Sequence, residues 1–196
     1  MKRLIAMIIA LCLLLCACGE VEGTVNTEKL QIVCSSFPAY DFARAIAGDR
    51  AELMLLIKPG AEVHSYEPAP KDMVRIQSCD LFVYNGGESE EWVEDLNEDM
   101  PNSVCMLDCV EAVEESDEGI YKTEDEDEEE PELDEHVWTS PKNAVLICRK
   151  LCLALCKLDP KHEAEYRQRL SDYTEKLDEI DSELRETVKA ARLHTL

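Results

Sequence analysis

The sequence predicts an α/β fold: a mainly parallel sheet flanked by helices, followed by one long helix. Three observations carry that prediction. Short, near-continuous apolar runs alternate with helix-patterned segments between residues 30 and 110. Such runs are what strands buried on both faces require. A block of acidic residues interrupts the rhythm at 111–135. After Pro160 the apolar residues recur at helical spacing almost to the end of the chain.

Lys2 and Arg3 precede an apolar run, "LIAMIIALCLLLCAC", of about 15 residues, short for a permanent span and suited to a signal peptide. The run ends at "LCACGE", with Leu15, Ala17 and Cys18 spaced as in a lipoprotein processing site. The expectation is a signal peptide at 1–17 and a lipidated Cys18 opening a linker to residue 29, on a chain held at the outer side of a bacterial membrane. The competing reading is an uncleaved anchor.

The segment "LQIVCSSF" at 30–37 reads as the first strand. "PAYDFARAIAGD" follows as a helix with Phe42, Ala45 and Ile46 on one face and Gly48 as its stop. "AELMLLIKPG" is a second strand ended by Pro59-Gly60. Pro70 opens a short helix with Met73, Ile76 and Val74 as its apolar side. "DLFVYNG" is a third strand, "SEEWVEDLNEDM" a helix and "SVCMLDCV" a fourth strand. Residues 111–135 hold fifteen acids and one base, Lys122, and read as a solvated, disordered spacer. Ser140 is the expected N-cap, with Pro141 at the first position, of "SPKNAVLICRKLCLALCKLDP". Tyr166, Leu170, Tyr173, Leu177, Ile180, Leu184 and Val188 then form one stripe on a helix of about 30 residues. The expected divisions are a lobe over 30–158, the long helix over 159–190 and a tail at 191–196.

Composition narrows the function. The chain carries 43 Asp and Glu against 20 Lys and Arg, a formal net charge of −23. That field repels phosphate backbones, so nucleic acid is excluded as a partner. No CxxC occurs; Cys148, Cys152 and Cys156 stand four apart among leucines, which reads as core packing rather than a thiolate metal cluster. His64, in "PGAEVHSYEPAPKDM", lies on a proline-rich loop after a strand, and His136 follows the acidic block and precedes a helix. Loops at the carboxyl ends of parallel strands are where ligands bind, and imidazole suits zinc and is accepted by manganese sites. The two histidines are 136 − 64 = 72 residues apart, so their meeting is not dictated by spacing. With no HExxH or comparable cluster to supply a general base, a metal hydrolase is disfavoured and the chain is read as not an enzyme.

Four stretches, "IVCSSFPAYDFARAIAGDRAEL", "IKPGAEVHSYEPAPKDM", "CDLFVYNGGESEEWVEDL" and "EHVWTSPKNA", resemble the metal-binding lipoproteins of bacterial ABC importers for zinc and manganese. The resemblance implies two α/β lobes joined by a long helix, with metal in the cleft between them. It places the first two ligands on His64 and His136 and implies zinc in preference to manganese. It also implies a membrane permease as partner. The third and fourth ligands would come from a second lobe, which this chain is expected to lack; His162 and His194 match neither position. The first reading is therefore a truncated or split metal-binding component, completed by water or by a second-lobe chain. The alternative is a degenerate interaction or adhesion protein that binds no metal.

Overall fold

The computed structural model describes residues 29–62, 66–99, 102–111 and 134–191, with the side chains of 95 and 97–99 left out. The signal peptide, Cys18, His64, most of the acidic block and His194 lie outside the described residues.

Four parallel strands form the sheet: β1 (Leu30–Cys34), β2 (Ala51–Leu55), β3 (Leu81–Tyr84) and β4 (Ser103–Cys105), in the order β2-β1-β3-β4. Ile32 pairs with Leu53 on one side and Leu81 on the other. The two central strands are buried on both faces, as their unbroken apolar runs require. Ile32, Cys34, Leu81 and Val83 turn to one face, where α1 (Phe37–Ala47), α3 (Pro141–Leu158) and the root of α4 (Glu163–Ala190) cover them. Val33 and Phe82 turn to the other, covered by Ile76 of α2 (Pro70–Ser78) and by Val93 and Leu96. The expected α/β class, parallel sheet and long final helix are all present.

Three local expectations are corrected. The segment expected as an ordinary helix is a tighter 3-10 turn sequence, Glu88–Asp99. The fourth strand stops after Cys105, and Leu107–Cys109 turns into a 3-10 helix. Val74 is 64% exposed, so Ile76 and Met73 alone form the inner side of α2.

α3 begins as its sequence dictates, with the Ser140 hydroxyl accepting the Asn143 N–H at 3.5 Å. Cys148, Cys152 and Cys156 are buried in the same core cluster as Leu151 and Leu155. Burial pushes the thiols of Cys148 and Cys152 up to about 12, so both stay protonated and pack as small apolar groups.

α4 runs 28 residues, about 42 Å at 1.5 Å per residue. Only its first half is docked. Tyr166 is fully buried, Leu170, Tyr173 and Leu177 lie against the core, and Ile180, Leu184 and Val188 are 47%, 52% and 62% exposed. The root is held by Arg50, whose guanidinium donates to both carboxylate oxygens of Glu165 at 2.7 and 3.0 Å. Arg169 donates to the Ala47 carbonyl at 3.0 Å and to Asp49 at 2.7 Å. Gly48 (φ +58°) makes room for it, since a Cβ there would stand 2.6 Å from the Arg169 guanidinium carbon.

Candidate metal centre

β2 lies on one side of β1, while the next strand of the chain, β3, lies on the other. The connections diverge there, and a crevice opens at the carboxyl ends of β1 and β3. A cavity of about 190 Å³ occupies it, lined by Ser36, Ile57, Asn85, Glu90, Glu135, His136 and Trp138 among others. His136 is thus brought to the place where the sequence expected a ligand site. His64 lies outside the described residues; the start of its loop, Ile57 to Ala61, lines the same cavity.

His136 is held by a carboxylate two residues upstream. Its backbone N–H donates to Asp134 Oδ1 at 2.8 Å, and its ring Nδ1 lies 3.1 Å from the same oxygen. In the tautomer with Nδ1 protonated, that nitrogen donates to Asp134. A carboxylate behind the imidazole is the usual means of fixing a metal-binding tautomer. The Trp138 ring, centred 5.3 Å away and tilted by 53°, flanks the imidazole. The His136 side chain is 49% exposed.

Behind the imidazole, residue 135 is tied to the turn after β3. Asn85 Nδ2 donates to the Glu135 carbonyl at 3.1 Å, the Ser89 N–H to Glu135 Oε1 at 3.0 Å, and the Ser89 hydroxyl to Oε2. Gly87 (φ +82°) permits that approach, because any Cβ would collide with the Glu135 carboxylate. Glu90 is buried, and its Oε2 accepts the N–H groups of Asn85 and Gly86 at 2.7 and 3.0 Å. Burial raises the Glu90 carboxyl above its ordinary range, while the backbone N–H groups of Gly86 and Asn85 pull it back. Glu90 Oε1, Asn85 Oδ1 and the hydroxyls of Ser35 and Ser36 have no hydrogen-bond partner among the described residues.

The donor set has limits. Among the described residues no group of three or more His, Cys, Asp or Glu side chains could hold a metal ion. The cysteines lie outside the cavity lining, and burial raises the thiols of Cys79 and Cys109 to about 11. His162, which the sequence set apart from the ligand positions, is half-buried, its Nδ1 2.6 Å from Asp159 Oδ2. Glu135 and Ser140, near the site in sequence, serve the turn and the α3 cap respectively. Asp134, Asn85 and Glu90 were not singled out in the sequence. Asp134 could have been found from "DEH", an acid two residues before a histidine; the other two act across the fold and leave no local signal.

The family model of ZnuA, the periplasmic zinc-uptake complex component A, matches residues 32–195. The chain belongs to that family. It is similar to the high-affinity zinc uptake system protein ZnuA of Bacillus subtilis, at 34% identity over 94% of this chain and 61% of that protein. It is also similar to the manganese ABC transporter substrate-binding lipoprotein PsaA of Streptococcus anginosus, at 32% identity over 93% of this chain and 59% of the relative. Zn(II)-bound AdcA from Streptococcus pneumoniae superposes with a TM-score of 0.70 at 28% identity, over 84% of this chain and 34% of AdcA. The chain thus spans about three-fifths of the length of ZnuA and PsaA. The resemblance read from the four motifs is borne out, and the parallel-sheet lobe with its long final helix is the part of that fold this chain shares with its solved relatives.

Proposed function

We propose that the chain is the metal-holding α/β lobe of an extracytoplasmic substrate-binding lipoprotein for divalent metal import, zinc in preference to manganese. His136 and His64 are its two ligands, Cys18 its lipid anchor, and a membrane permease of the ABC type the recipient of the metal. The observation that carries this reading is His136 at the switch-point cavity, backed by Asp134, with the His64 loop leaving from the same rim. The names of the zinc and manganese relatives support the class of cargo.

The chemistry is passive coordination. The cavity is bordered by the His136 imidazole, and binding would form coordinate bonds only. Two neutral imidazoles favour zinc over manganese, which stands lower in the affinity order for nitrogen ligands. Zinc takes four ligands, so the remaining two come from water or from carboxylate or imidazole groups outside this lobe. The chain's formal net charge of −23 favours cations near its surface.

Calorimetric titration of zinc and manganese into residues 19–196 tests the reading. The expected result is zinc binding that weakens at least about tenfold in both His64→Ala and His136→Ala, with manganese weaker throughout. Binding indifferent to both substitutions would point to the interaction-protein alternative.

A further inference from the structure

Glu90 is only 2% exposed, and among the described residues no cation pairs with it. A buried carboxylate without a positive partner is costly to keep, and an apolar residue of similar size would fill the space without that cost. Its bonds show what it holds. Oε2 accepts the N–H groups of Asn85 and Gly86, the two residues that lead the chain off β3. Gly86 there has a left-handed backbone (φ +87°), and its N–H would otherwise be a buried donor. From this pinned turn, Asn85 and Ser89 reach across about fifty residues of sequence to the carbonyl and carboxylate of Glu135. Glu135 is bonded directly to His136.

We propose that Glu90 is a positioning residue for His136: it fixes the turn after β3, and Asn85 and Ser89 on that turn fix Glu135 and so the imidazole at the cavity rim. The inference rests on the reading of His136 as a metal ligand. It requires an acceptor oxygen at position 90 and no negative charge. This separates it from a direct ligand role for the carboxylate, and its effect on the metal separates it from a merely structural cap.

The test compares Glu90→Gln, Glu90→Leu and Asn85→Ala in residues 19–196. Zinc affinity is measured by calorimetry, and amide hydrogen exchange is measured by NMR in the metal-free protein. Gln keeps the acceptor, so zinc affinity stays within about twofold and Ser89 exchange is unchanged. Leu removes it: zinc affinity falls by about tenfold, the range expected for groups that orient a ligand. Ser89 exchange then rises by a similar factor while the β1 amides stay protected. Asn85→Ala, which leaves the Glu90 bonds in place, weakens zinc by the same order and carries the test should Glu90→Leu fail to fold. Unchanged zinc affinity and Ser89 exchange in Leu and Ala would overturn the proposal. So would Gln weakening zinc as much as Leu, because the charge and not the brace would then matter. If the wild-type chain shows no zinc binding through His136, the functional reading fails, and the metal-free exchange alone decides whether Glu90 braces residue 135.

Discussion

Two histidines of this chain each stand beside an aspartate, and the two pairs have opposite surroundings. His162 lies 2.6 Å from Asp159, with side chains 19% and 10% exposed, and the Tyr166 hydroxyl donates to the same carboxylate oxygen at 2.8 Å. His136 lies 3.1 Å from Asp134, with side chains 49% and 41% exposed, and it borders a cavity. At the first pair, imidazole and phenol both converge on one carboxylate at the root of α4. At the second, the carboxylate takes one ring nitrogen of an imidazole at a cavity rim. The same two residue types make a buried joint in one place and a half-exposed pair at a cavity rim in the other, and burial separates the two.

Breaking the joint has the largest effect. Tyr166 is fully buried where α4 meets the core, and Tyr166→Ala is expected to cost about 3–5 kcal/mol in denaturant unfolding, as for other large aromatic truncations. A loss below about 1 kcal/mol would show that α4 is not anchored there. Asp159→Asn comes next, at about 1–3 kcal/mol, because a buried acceptor of two hydrogen bonds is weakened.

That second substitution also has a pH signature. Burial raises the Asp159 carboxyl, but the hydrogen bonds from His162 and Tyr166 outweigh it and hold the group below the ordinary range. A depressed carboxyl contributes stability that is present above the unfolded value, about 3.9, and is lost as pH falls through the folded value. Asp159→Asn is therefore expected to flatten the acid limb of a Tm-versus-pH curve; an unaltered limb would place the linkage elsewhere. The smallest effect belongs to the free half of α4. Leu184 is 52% exposed, and Leu184→Glu is expected to stay within about 0.5 kcal/mol. A larger loss would mean that this stripe is covered in solution.

Much of this was legible in the sequence. The strands announced themselves because β1 and β3 bury both faces and so cannot alternate. The α3 cap and the α4 stripe are local patterns of three to four residues, which sequence displays directly. What failed was set by contacts across the fold. Glu88–Asp99 reads as an amphipathic helix, yet the turn leading into it is pinned by Glu90 and Gly87 against β3 and Glu135, and the segment winds as 3-10. The fourth strand reads as eight residues but pairs over only three, since the chain turns at Leu107 into the layer under α3. His136 was singled out from its motif and borders the cavity, whereas the contacts of Asn85 and Ser89 with Glu135 join positions nearly fifty apart and could only be seen folded.

The contrast between the two histidines yields the most direct test. Zinc is titrated into the wild-type chain, His136→Ala and His162→Ala, and each protein is also melted without metal. His136→Ala is expected to weaken zinc at least about tenfold with Tm nearly unchanged. His162→Ala is expected to lower Tm by several degrees and leave zinc affinity within about twofold. Zinc binding that survives the loss of His136, or that falls equally with the loss of His162, would contradict this contrast.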